Sequence, residues 1–132
     1  MHASKDQAVL RRYLAILGIE PRAPSIEALC ELVRAHLIRV PFETISKLYY
    51  LSHPRSEGDR GRRPLSSTVN LGLRDIPSLD QYLQGLERGF GGTCYSNNWY
   101  LHQLLKLLGY EVMFCGADME DPDAHAVNVV SV

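Results

Sequence analysis

The chemistry-bearing stretch of this chain is Gly89-Phe90-Gly91-Gly92-Thr93-Cys94-Tyr95-Ser96-Asn97-Asn98. A glycine turn runs straight into an apolar segment, and the one thiol of the stretch stands at the junction. The segment has helical period: Tyr95, Trp99, Leu101, His102, Leu104, Leu105 and Leu108 fall on adjoining faces, and Gly109 follows as a C-terminal stop. Cys94 is therefore expected in the first turn of a buried helix. The unpaired amides and positive dipole end of that turn favour a negatively charged sulfur, the nucleophilic form of cysteine. Gly91 and Gly92 supply the close backbone approach that a substrate-facing turn needs.

Other readings compete with a nucleophile. A lone cysteine before an apolar helix is ordinarily a small buried hydrophobe. A dinucleotide fingerprint would need a third glycine where Cys94 stands, and a phosphate loop would need Gly-Lys-Ser/Thr before the helix. Cys94, Cys115, His102 and His125 match no paired-ligand spacing, so no metal is expected.

The elements that must position Cys94 are legible from periodicity. Lys5 to Leu17 reads as a helix with Val9, Leu10, Tyr13, Leu14, Ile16 and Leu17 as its stripe, ended by Gly18. Ser25 caps a second helix, Ile26 to Arg39, whose buried side is expected to be Leu29, Leu32, Val33 and Leu37, with Cys30 packed beside them. Pro41 ends it. Val40-Pro41-Phe42-Glu43 leads into an apolar segment up to Leu51. Glu43 is either a solvated charge or a carboxylate holding a loop by hydrogen bonds. Ser52 to Thr68, with Arg55, Arg60, Arg62 and Arg63 among serines, glycines and prolines, reads as a polar loop or insertion. Val69 to Leu73 is extended. Ser78-Leu79-Asp80-Gln81 has capping-box spacing and starts a short helix to about Arg88. After Gly109, Tyr110 to Cys115 is a strand that Gly116 breaks, and Asp118 to Asp123 is an acidic turn. His125 to Val132 alternates as a second strand, with His125, Val127, Val129 and Ser131 on one face and Ala126, Asn128, Val130 and Val132 on the other. The chain stops in that strand and reads as an interrupted protein.

The whole-chain properties bound the class. With 132 residues there is enough chain for a core. A net charge of −1 makes no electrostatic case for nucleic acid or an anionic membrane. No apolar run approaches the roughly 20 residues of a membrane span, and the N-terminus lacks a signal-peptide pattern. Three widely spaced cysteines argue against a disulfide scaffold and for a reducing, cytoplasmic setting. Residues 1–109 form a helical region carrying the polar insertion, and 110–132 begin a β region.

Four segments in order resemble the N-terminal part of the arylamine N-acetyltransferase family. The family's His-x-x-x-Val-Pro-Phe-Glu signature is similar to His36-Leu37-Ile38-Arg39-Val40-Pro41-Phe42-Glu43. Its Arg-Gly-Gly-aromatic-Cys segment, with asparagine four residues on, is matched at Gly91, Gly92, Cys94 and Asn98. Its Leu-Gly-aromatic-Glu-Val is matched by Leu108-Gly109-Tyr110-Glu111-Val112. Its catalytic histidine opens a strand, as His125 does before Ala126-Val127-Asn128-Val129-Val130. The resemblance implies an α+β fold, with an N-terminal helical bundle, Cys94 at a helix N-terminus and the first antiparallel strands of a β-barrel or sheet. That would be a truncated cysteine-proteinase-like core.

The implied activity is acetyl transfer from acetyl-coenzyme A to an arylamine or hydrazine through an acetyl-cysteine, with Cys94 as nucleophile and His125 as its base. Amides at the helix start, including that of Tyr95, with Gly91 and Gly92 around them, would stabilise the oxyanion. Glu43 and Asn98 would be structural neighbours of the site. Acetyl-coenzyme A enters as a substrate, and no bound cofactor is expected. The sequence departs from the family at Phe90 (usually arginine), Thr93 (usually aromatic) and Ser96 (often glutamate or glutamine). The missing arginine leaves Glu43 in need of a partner, with Arg88, close to Phe90 in sequence, as the candidate substitute. The family's triad ends in an aspartate lying beyond Val132, and Asp118, Asp121 and Asp123 all precede His125. Two other classes stay open: a transglutaminase-like or papain-like cysteine hydrolase, and an inactive homologue used as a binding module.

Overall fold

The first apolar stripe forms α1 (His2–Leu17), and Gly18 closes it at φ 72°. The computed structural model describes residues 2–52, 76–117 and 124–132. The expected polar loop past Ser52, the extended piece at Val69 to Leu73 and the turn at Asp118 to Asp123 fall outside them. Tyr13, Leu14 and Leu17 are buried, and Val9, Leu10 and Ile16 pack around them. In α2 (Ile26–Arg39) the Ser25 side chain accepts from the Ala28 amide at 3.1 Å, satisfying one of the helix's unpaired donors. The apolar segment after Glu43 is helical, α3 (Ile45–Ser52). α4 (Leu79–Glu87) carries the expected capping box between Ser78 and Gln81. α5 (Cys94–Leu107) begins at the cysteine, and Gly109 follows it at φ 92°. β1 (Glu111–Ala117) and β2 (His125–Ser131) pair antiparallel, with Glu111 opposite Ser131 and Ala117 opposite His125. The fold is thus α+β, with five helices and a two-stranded sheet among the described residues. No described helix is long and apolar enough to cross a membrane.

The buried side of α2 differs from the face expected for it. Ala28, Leu32 and His36, spaced four apart, point inward, whereas Leu37 is 76% exposed and Cys30 is exposed. Val33 is exposed as well. The apolar count misled because a histidine occupies a core position. Its burial is tolerated because Nε2 shares a 3.2 Å hydrogen bond with the Tyr13 hydroxyl. Gly116 also does not break β1: it lies within the strand, opposite Ala126.

α5 is covered on two sides. Tyr100, Leu104 and Leu105 join Tyr13, Leu14, Leu17, Leu32, Tyr82, Leu83 and Leu86 in the helical core. Tyr82 and Tyr100 stack at 4.5 Å, and Tyr13 meets Tyr82 edge-on at 6.1 Å. These phenols are not stranded in apolar surroundings: Tyr82 donates to Asn97 Oδ1 at 3.0 Å and Tyr100 to the Pro77 carbonyl. On the opposite side Phe114 of β1 packs edge-on against Trp99 at 5.3 Å and His102 at 5.9 Å. Ala126 of β2 is fully buried, and Val130 packs against the core. The period-2 assignment of the β2 faces holds from Ala126 to Val130, with Val129 54% exposed on the other side, whereas Val132, expected on the inner face, lies past the strand and is 65% exposed.

Burial sets a pH dependence. Desolvation lowers the His36 pKa from 6.5 to about 4. The folded value lies below the unfolded one, so the folded state binds fewer protons. The stability this histidine contributes is full above about pH 6.5 and is lost as pH falls toward 4, by about 3 kcal/mol in all. Urea unfolding of the parent between pH 7 and 4 is expected to show that decline, and His36→Leu to flatten it. A parent curve level over that window would contradict the assignment.

Candidate active site

Two segments far apart in sequence build the turn before Cys94. Phe42 and Gly92 form a parallel β-bridge. Glu43 N donates to Gly92 O at 3.0 Å and Gly92 N to Pro41 O at 3.1 Å. The Glu43 carboxylate accepts from Gly91 N at 3.1 Å through one oxygen and from Ser46 N at 2.8 Å through the other. Ser46 N lies in the first turn of α3, so the carboxylate also caps that helix and meets its dipole. Burial alone would raise the Glu43 pKa, but the hydrogen bonds from Ser46, Gly91 and Ile45 outweigh it and hold the value below the ordinary one. Of the two roles open to Glu43, the structure shows the loop-holding one. Arg88 forms no ion pair with it; backbone amides do what a cation was expected to do. Phe90, at the departing position, stacks on Tyr49 at 6.2 Å.

Glu43→Gln would leave one of these amides facing an NH2 group. It is expected to cost about 1 kcal/mol, discounted because the group is partly exposed. Since the folded pKa is depressed, that contribution exists above the unfolded carboxylate pKa and vanishes as pH falls through the folded one. The parent and Glu43→Gln should therefore differ in urea midpoint at pH 7 and converge as the pH is taken below the ordinary carboxylate range. A constant gap would rule out the carboxylate as the cause.

Asn97, which sequence reasoning passed over, completes the turn. Its Nδ2 donates to Gly92 O at 3.0 Å and Pro41 O at 3.3 Å, while its Oδ1 accepts from Tyr82. It is buried. A buried amide among the apolar residues of α5 was the available signal. Ser96, another of the three departing positions, is 4% exposed, and its hydroxyl donates to Thr93 O at 3.2 Å. A Cβ on Gly92 would stand 2.2 Å from that oxygen, so the small serine and the glycine fit together.

Cys94 is half-buried and carries a free thiol. Thr93 has the extended N-cap backbone (φ −74°, ψ 172°) but its hydroxyl makes no cap hydrogen bond, so it does not occupy the amides of the first turn. Tyr95 is buried, its ring 6.5 Å from Phe114.

His125 opens β2 and is half-buried. What joins it to the Cys94 turn is Asn98. The Asn98 Nδ2 donates both to Cys94 O at 3.0 Å and to Ala126 O at 2.9 Å. One amide therefore ties the first turn of α5 to the residue after His125. The side chains of Cys94 and His125 share no hydrogen bond with each other. The structure thus brings Gly91, Gly92, Glu43, Cys94, Asn98 and the start of β2 into one region. Among the described residues no group of three or more His, Cys, Asp or Glu is placed to hold a metal ion.

No protein-family model matches this chain, and no curated protein matches it.

Proposed function

We propose that the chain is an acyltransferase of the arylamine N-acetyltransferase kind, with a cysteine-proteinase-like core in which a nucleophile's helix packs on a sheet. The observation that supports it most is the Asn98 amide, which holds a cysteine at a helix N-terminus against the strand that a histidine opens. The Cys94 sulfur attacks the carbonyl carbon of the acetyl thioester. The carbon–sulfur bond to coenzyme A breaks, the coenzyme leaves as its thiol after taking up a proton, and the acetyl group stays on Cys94. An arylamine or hydrazine then attacks the acetyl-cysteine, His125 removes the amine proton, and the Cys94 sulfur is released. First-turn amides of α5 stabilise the oxyanion of both steps. A cytoplasmic setting fits three free thiols that need no oxidising compartment. Acetyl-coenzyme A and a small amine are the partners, with neither nucleic acid nor membrane.

The test is mass spectrometry of the protein after incubation with acetyl-coenzyme A, followed by a panel of amines. An acetyl group on Cys94 that an amine discharges is the expected result, and no adduct at Cys94 refutes the reading. The absence of a direct hydrogen bond between Cys94 and His125 favours a second reading, a binding module that retains the site's frame without its chemistry. In that case Cys94 would react with alkylating reagents no faster than Cys30 or Cys115.

A further inference from the structure

Beyond the residues already assigned, one side chain of β2 reaches back to the nucleophile's helix. Asn128 Nδ2 donates to Asn98 O at 2.9 Å, while Asn98 Nδ2 donates to Ala126 O at 2.9 Å. The pair is reciprocal: helix amide to strand carbonyl, strand amide to helix carbonyl. Both amide protons of Asn98 are used, since the second goes to Cys94 O at 3.0 Å.

The far end of this pair contains two buried polar atoms without a hydrogen-bond partner, Asn128 Oδ1 and His102 Nδ1. His102 lies one turn beyond Asn98 on the same side of α5. Its ring is stacked on Trp99 at 5.7 Å and flanked by Phe114 at 5.9 Å. Burial, and to a smaller extent the Lys106 charge, lower the His102 pKa, against a smaller raising effect of the nearby Asn128 side chain. Asn128 stands opposite Phe114 in the sheet, and Phe114 flanks the His102 ring, so the two unpartnered atoms belong to neighbouring groups. A neutral ring with its proton on Nδ1, turned toward Asn128 Oδ1, would satisfy both atoms at once and fix which way the Asn128 amide points.

We propose that Asn128 is a positioning residue: with Asn98 it forms a two-way amide clamp holding the Cys94 turn to the start of β2, and the Nδ1–H form of His102 orients it. This rests on the reading of Cys94 and His125 as the reacting pair. The clamp touches neither side chain. It acts on the backbone that carries them, where a displacement of about 1 Å is enough to cost a large factor in rate.

The experiment uses the full chain, with Asn128→Leu and His102→Phe as variants. The first is close in shape and removes the donor; the second keeps the ring contacts and removes Nδ1. Iodoacetamide alkylation rates at Cys30, Cys94 and Cys115 are read by peptide mass spectrometry, and the His102 ring nitrogens by 15N NMR. In the parent, Nδ1 carries the proton and Cys94 is the fastest of the three thiols. In each variant Cys94 slows about tenfold with Cys30 and Cys115 unchanged, a selectivity that loss of packing alone would not produce. Should Asn128→Leu fail to fold, His102→Phe decides the matter. Unchanged Cys94 rates in the folded variants, or a parent His102 with its proton on Nε2, would overturn the clamp. If the parent shows a fast, variant-sensitive Cys94 but takes no acetyl group, acetyl transfer fails and the clamp stands.

Discussion

Under the proposed acyl-transfer chemistry, Cys94→Ala is expected to take up no acetyl group and to lose transfer by about a thousandfold or more, because no other group in the turn can store the acyl group as a thioester. The loss is expected without unfolding. The thiol is only half-buried, and trading it for a methyl group should move stability by less than about 1 kcal/mol. Cys30→Ala is the matched control. Cys30 lies on the exposed side of α2, so its replacement should alter neither adduct formation nor melting temperature. Intact-mass measurement after acetyl-coenzyme A treatment reads all three proteins. Equal labelling of Cys94→Ala and the parent would place the chemistry elsewhere.

Gly91→Ala is expected to be the most destabilising single methyl group that can be added to the described chain. A Cβ there would lie 1.8 Å from Pro41 O. That carbonyl cannot retreat cheaply, since it accepts from Gly92 N at 3.1 Å and Asn97 Nδ2 at 3.3 Å. Relieving the clash opens the bridge at Phe42 and Gly92 and strands the Glu43 carboxylate, so the expected cost is about 3 kcal/mol or more. Gly89→Ala separates this effect from ordinary glycine strain. Gly89 has φ 84° but nothing within 4 Å of an added Cβ, so only the left-handed backbone penalty of about 1 kcal/mol applies. Urea unfolding should rank parent, Gly89→Ala and Gly91→Ala in that order, with Cys94 alkylation lost only in the last. A Gly91→Ala protein as stable as Gly89→Ala would show that the clasp is slack.

What could be read from residue types was whatever depends on local period and local caps. α1, α2, α4, α5 and the alternation of β2 follow from apolar spacing, and Ser25, Ser78 and Gly109 mark ends because capping involves only neighbours three or four residues away. The core face of α2 could be read only in part, at Leu29 and Leu32, because His36 is made tolerable by a hydroxyl from α1 that no window of α2 contains. The same holds at the site. Cys94, Gly91 and Gly92 announce themselves by chemistry. The partner of Glu43 was misassigned to a cation because the real donors are backbone amides, which every residue has and no sequence distinguishes. Asn97 and Asn128 went unweighed since an amide becomes informative only once its carbonyl partners on other segments are known.

The clasp at Glu43 has a consequence for the order of assembly. It joins Glu43 to Gly91 across 48 positions, whereas α5, β1 and β2 are consecutive in the chain and pack on one another. Ring-closure entropy delays the distant contact relative to the neighbouring ones. During refolding, then, the sulfur should exist on a formed rod beside its ribbon before the turn that frames it has closed. Newly made chains would pass through an interval in which the thiol stands without the glycine turn that frames it in the finished protein.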